Sequence, residues 1–244
     1  MWLQGHPAQA VSLARQAVAD AIRMNHPVKL SMTLLWALSV FLWNSELETA
    51  EECIDRFIIE ADKHSLAPYQ TIGRGAKGEL LVRQGEVEPG IILLRSSLET
   101  MSRYRYGAPT AFSTALAEGL ATTGQQEEAL RTIDQAIALV ERNRDLFGMP
   151  DLLRVKAEIM ISGEGSDLIQ AERYLRDSLK MASCQSSLAW ELRSATTLAR
   201  LWMQQGRHAE ARHTLSPIYA QFTEGFDCGD LKAARELLRE LSTH

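Results

Sequence analysis

The sequence predicts an all-α fold, a right-handed α-solenoid of about six stacked helix pairs. Three observations carry this. A small residue is followed five positions on by another, at Gly5/Ala10, Ser45/Ala50, Gly85/Gly90, Gly124/Ala129 and Gly206/Ala211. The first members are 40, 40, 39 and 82 residues apart, so the period is near 40 and a further repeat belongs near 165. After each turn the apolar residues keep helical spacing, as in Ala129, Ile133, Ala136, Ile137 and Val140, and strand-like alternation is absent.

The hidden repeat is found where the spacing puts it. "KAEIMISGEGSDLIQAERYL" (156–175) aligns with "KGELLVRQGEVEPGIILL" (77–94). Lys77 meets Lys156, Gly78 meets Ala157 and Leu81 meets Met160, with two extra residues in the Gly163–Ser166 turn. The pattern predicts twelve helices, near 7–25, 28–44, 46–64, 68–84, 87–105, 109–123, 126–145, 150–162, 167–183, 186–205, 208–222 and 229–242. Pro7, Pro27 and Pro150 suit first turns, where a missing N–H costs nothing. Ser45-x-x-Glu48 reads as a capping box that opens the third helix. Gly107 and Gly148 read as left-handed residues that end helices.

The chain has 244 residues, 45% of them hydrophobic, which suffices for a long repeat array. A net charge of −5 argues against a broad nucleic-acid surface. Cys53, Cys184 and Cys228 lie far apart without a C-x-x-C, so neither a disulfide framework nor a zinc site is expected. The six histidines form no metal-binding pair; His208 and His213 are five apart, off one helical face. No signal peptide is legible at the start. The apolar run 28–43 has 16 residues, short of the roughly 20 a bilayer requires, and reads as a buried helix. A cytoplasmic protein without metal or cofactor is the expectation.

The repeat resembles the tetratricopeptide repeat family. The small position of the first helix is Gly78, Ala117, Ala157 and Ala199, and the turn glycine is Gly5, Gly85, Gly124 and Gly206. The second helix carries Ala10, Ala50, Gly90, Ala129, Ala171 and Ala211, then Ala17, Ser97, Ala136 and Ser178. The resemblance covers the whole chain, 1–244, as a single repeat domain. Its period is longer than the family's 34 residues, and the closing proline is mostly missing. "LARLWMQQG" and "FTEGFDCGDLKAA", within 192–241, are similar to the terminal repeat of multidomain bacterial regulators. Those proteins join a nucleotide-cyclase or winged-helix domain and an ATPase-like domain to C-terminal helical repeats. "MWLQG" resembles "RLWMQQG" (200–206) and reads as the last turn of an incomplete first helix. The helix at 229–242 reads as a charged cap, with no counterpart at the other end. A piece of a longer protein, or a homodimer through the uncapped N-terminal end, is the corresponding expectation.

Gly73-x-Gly75-x-x-Gly78 has the form of a dinucleotide loop, which requires a preceding strand; "DKHSLAPYQTI" (62–72) reads as a helix end, a turn and a new helix instead. Close packing is the favoured reading of these glycines, with a kink or ligand approach as the minor one. "RYRYG" (103–107) could stack on bases but reads better as a helix end whose arginines complement the dipole. Trp36, Phe41 and Trp43 share one helix and read as core or as an interface, with an aromatic ligand platform as the minor reading. In the resembling family the first helix of each pair lines a groove. Glu79, Glu118, Glu158 and Arg200 occupy equivalent positions there, with Arg74, Arg83, Arg154 and Arg193 near them. Such a ladder could hold a peptide or small polar ligand, or form a solvated face of mutual salt bridges. Glutamates one repeat apart on an open face make no acid–base pair. The reading is a non-catalytic interaction or ligand-sensing scaffold of a bacterial signalling or transcription regulator. A stand-alone adaptor is the alternative, and a nucleotide-binding enzyme the remote one.

Overall fold

The structure is a computed structural model that describes residues 1–104, 110–163 and 167–243. Twelve α-helices are present among the described residues, and no strand. They are α1 (Pro7–Met24), α2 (Pro27–Trp43), α3 (Leu47–Lys63), α4 (Ala67–Gln84), α5 (Val87–Arg103) and α6 (Thr110–Thr122). Then come α7 (Gln126–Asn143), α8 (Met149–Ser162), α9 (Leu168–Cys184), α10 (Leu188–Gln204), α11 (His208–Tyr219) and α12 (Gly229–Glu240). A turn of 3-10 helix, Leu146–Gly148, precedes α8. The all-α solenoid of paired helices is therefore the fold, and each element lies within a few residues of its expected place.

Two compact units are distinguished, one of Ala10–Thr132 and one of Met1–Gln9 with Ile133–His244. Within the first, α2 to α6 pack in sequence order, and α4 also touches α2 and α6. Within the second, α8 to α12 pack in order, and α10 also touches α8 and α12. The first helices of successive pairs thus form one layer in each unit, which puts their outward positions side by side.

The turns explain why the helices stop. Gly5, Gly85, Gly124 and Gly206 all have φ between +76 and +89. At each, the next residue's N–H reaches back five residues, as Glu86 N–H does to Leu81 O at 2.9 Å, and closes the exposed carbonyls of the helix end. Met1–His6 makes the same turn, His6 N–H donating to Met1 O at 3.1 Å, like Arg207 N–H to Trp202 O at 2.8 Å. The likeness of "MWLQG" to "RLWMQQG" is therefore geometric.

Two cap expectations are corrected. Ser45 has φ +61 and ends α2, with Glu46 N–H donating to Phe41 O at 2.9 Å. Its side chain caps nothing at α3, whose N-cap is Glu46 without a side-chain bond. Closing the end of α2 won over opening α3. Gly148 has φ −83 and starts α8, while Arg144 (φ +56) is the left-handed residue that ends α7. Gly107 and the Gly163–Ser166 turn lie outside the described residues, Gly163 excepted. Pro7, Pro27 and Pro150 stand in first turns as expected.

The glycine motif lies inside α4, with helix and turn before it. A methyl group on Gly73 would fall 2.8 Å from Ile58 Cγ1, and one on Gly75 would strike the Phe112 ring. On Gly78 it would fall 2.9 Å from Gly90 O, and on Gly90 it would fall 2.8 Å from Gly78 O. The backbones of α4 and α5 touch at this point, which is the close packing the sequence suggested. Ala117, Ala129, Ala157, Ala171, Ala199 and Ala211 occupy the equivalent places and are buried.

Candidate functional site

The ladder positions are best ordered on α8, α10 and α12. Arg154 Nε donates to Asp151 Oδ1 at 2.9 Å and Arg154 Nη1 to Glu158 Oε2 at 2.6 Å. The spacing of three and four residues puts all three on one helical face. The other Glu158 oxygen accepts from Thr197 Oγ1 on α10 at 2.7 Å. Arg193 on α10 donates to Asp230 Oδ2 on α12 at 2.8 Å and lies 4.7 Å from the Trp2 ring centre. Charge-assisted bonds thus run from one first helix to the next. Arg200 is exposed and has no partner among the described residues.

The corresponding face of α4 and α6 differs. Glu79 is 3% exposed and accepts from Arg83 at 3.0 Å, so a buried carboxylate is tied to an arginine at the surface. Glu118 is half-buried on α6. Arg74 is exposed, without a partner among the described residues. The structure therefore joins Arg154 with Glu158 and Arg83 with Glu79. It gives Arg193 to Asp230 and Trp2, and leaves Arg74 and Arg200 facing solvent.

Of the aromatic residues on α2, Phe41 is core, Trp43 is half-buried and Trp36 is 68% exposed. Val28, Met32 and Trp36, four residues apart, form an exposed apolar stripe on that helix. Of "RYRYG", Arg103 closes α5 as expected, bonded to Glu99 at 2.8 Å, and Tyr104 is exposed; residues 105–107 lie outside the described residues.

A second ionic cluster holds α9, α10 and α11 together. The guanidinium groups of Arg176 and Arg207 lie 5.0 and 4.8 Å from the Trp202 ring centre. Both donate to Glu172, and Arg207 also donates to Glu210 at 2.8 Å. Burial opposes the charged form of Glu172, but the hydrogen bonds from Arg207 and Arg176 outweigh it and hold the carboxyl at about 2. Burial pushes the Cys53 thiol up to about 12, an unreactive state, and Cys184 is the exposed thiol.

Sequence reasoning missed Asp151, Thr197, Asp230 and Trp2. Asp151 was readable, three residues before Arg154. Thr197, Asp230 and Trp2 become neighbours of the ladder only when pairs stack. Among the described residues no cluster of three or more His, Cys, Asp or Glu could hold a metal ion, and no helix is long and apolar enough to cross a membrane.

The sequence profile of the tetratricopeptide repeat matches residues 111–135 and 192–215. Each match spans a first helix and runs into the second: α6 into α7, and α10 into α11. Two of the helix pairs are tetratricopeptide-like in sequence as well as in fold. No curated protein matches the chain. The tetratricopeptide likeness fits a role in protein interaction, and one matched pair contains Arg193, Thr197 and Arg200.

Proposed function

We propose that this chain is a non-catalytic scaffold that captures a partner peptide or small polar ligand on the faces of its first helices. It acts as the sensing or docking part of a bacterial signalling or transcription regulator. The observation that carries this reading is Arg200. It stands exposed beside Arg154–Glu158 and Arg193–Asp230, whose charges are already matched, so it is a cation available to an incoming carboxylate. Arg74 offers the same group on α4. The paired residues hold each surface in shape, and each unmatched arginine, Arg200 in one unit and Arg74 in the other, favours an acidic group.

The test is partner capture from source cells with the unaltered chain and with Arg200→Glu and Arg74→Glu. Charge reversal at Arg200 should remove a partner at low salt, with the fold unchanged by circular dichroism. Identical capture by all three proteins would refute the assignment. An effector domain recovered with the chain, or in the same polypeptide, would support the regulator. A nucleotide-induced rise in Tm would favour an enzyme instead.

A further inference from the structure

Residues Met1–Gln9 fold with Ile133–His244 into one compact unit. The contacts are reciprocal. Ala189 N–H, in the first turn of α10, donates to Leu3 O at 3.1 Å. Gln9 N–H, in the first turn of α1, donates to Glu224 Oε1 at 3.0 Å, and Gln9 Nε2 donates to Glu224 Oε2 at 3.0 Å. Helix starts carry free N–H groups, and α1 has no acidic residue of its own in its first turn. Each helix start therefore receives its acceptor from the other segment. The Gln9 N–H holds the Glu224 carboxyl below the usual carboxylate range.

The fit is also steric. Trp2 is 5% exposed, under the guanidinium that Asp230 holds. A methyl group on Gly5 would fall 2.6 Å from Leu188 Cδ2, and one on Gly225 would strike Pro7. Yet one flank of the segment is not filled. An open cavity of about 490 Å³ lies between Met1, Leu3, Leu146, Phe147 and Gln185, and Phe147 is 53% exposed beside it. His6 Nδ1 is enclosed without a hydrogen-bond partner among the described residues. Trp2, Gly5 and Pro7 are buried, the backbone bond from buried Ala189 is internal, and the two bonds to Glu224 lie at the surface.

We propose that the start of α10 and the 220–228 loop form a peptide socket, and that Met1–Gln9 is its ligand in cis. The socket takes a helix-ending turn that carries a tryptophan, followed by a helix start whose N–H groups meet Glu224. A partner segment of this chemistry binds by displacing the chain's own. The proposal rests on Ala189 and Glu224, not on Arg200 or Arg74, so it stands or falls separately from the groove reading.

The probe is a blocked, fluorescently labelled peptide of residues 1–9, titrated against three full-length chains by anisotropy. They are the unaltered chain, Trp2→Ala/Gln9→Ala, and that double variant with Glu224→Ala added. The expected result is saturable binding roughly tenfold tighter to the double variant than to the unaltered chain, lost with Glu224→Ala. No saturable binding, or equal binding to all three, overturns the proposal. Amide exchange on the unaltered chain decides the matter should the variants not fold. Gln9 and Ala189 should exchange together, roughly tenfold or more faster than Leu198 in mid-α10. Equal protection would make the segment an integral part of the core and overturn the socket.

Discussion

The α4–α5 pair of one unit and the α8–α9 pair of the other occupy equivalent places in the repeat, and they cross differently. Gly78 and Gly90 let the α4 and α5 backbones touch, whereas Ala157 and Ala171 fill the crossing of α8 and α9. Both pairs carry the same ionic tie to the preceding helix. Lys77 reaches Glu51 at 2.7 Å and Asp55 at 3.5 Å, and Lys156 reaches Asp134 at 2.7 Å and Tyr174 Oη at 2.9 Å. In both, burial works against the charged lysine, and the bonds to its partners still raise its pKa. The ionic tie is common to the two pairs while the distance of approach is not. Side-chain volume at one position decides how closely two helices come, and the glycine pair gives up roughly 1 kcal/mol of helix propensity per residue for the closer crossing.

That contrast is most directly broken at the glycines. Gly90→Ala should destabilise by roughly 2 kcal/mol in urea unfolding, because its methyl group meets Gly78 O and Val82 N, both backbone atoms that cannot turn aside. Ala171→Gly, at the equivalent place, should cost about 1 kcal/mol through helix propensity and lost packing. A Gly90→Ala protein as stable as the parent would mean that the close approach is not required.

The next largest effect should appear in acid, in the unit that holds Glu172. Its carboxyl is held at about 2, below the ordinary 4.5, so the unfolded chain takes up the proton first. The stabilisation is complete above about pH 4.5 and is lost as the pH falls toward 2. Glu172→Gln should lower stability at pH 7 and flatten the acid limb of the profile. An unchanged acid limb would remove the Arg207–Glu172–Arg176 cluster as its cause.

The lysine ties sharpen the comparison further. Lys156, with its side chain 15% exposed, should cost about 1–2 kcal/mol when changed to Met, because Asp134 and Tyr174 lose a charged donor. Lys77, with its side chain 25% exposed and only carboxylates at the surface for partners, should cost less, about 1 kcal/mol. Equal losses would show that burial of the tie does not matter. The smallest effect is a gain. Ser45 holds φ +61 where four other turns use glycine, so Ser45→Gly should raise stability by about 0.5–1 kcal/mol. A loss on that change would mean that the Ser45 side chain does more than the turn requires.

The sequence alone determined the repeat, the helix order and nearly every helix end. A period near 40 with small residues at two fixed places leaves one architecture, because neither helix of a pair can bury its apolar face by itself. It also argued against the dinucleotide loop, since what precedes Gly73 has no strand character. It misread Ser45, because a serine between two helices can cap the second or close the first, and the local motif looks the same. What only the tertiary structure decided is which charges meet. Arg193 with Asp230, Glu158 with Thr197 and Gln9 with Glu224 are 37, 39 and 215 residues apart. Helical periodicity places a residue on a face; the stacking of pairs chooses what faces it, and a hydrogen bond requires that choice to be right within a fraction of an ångström.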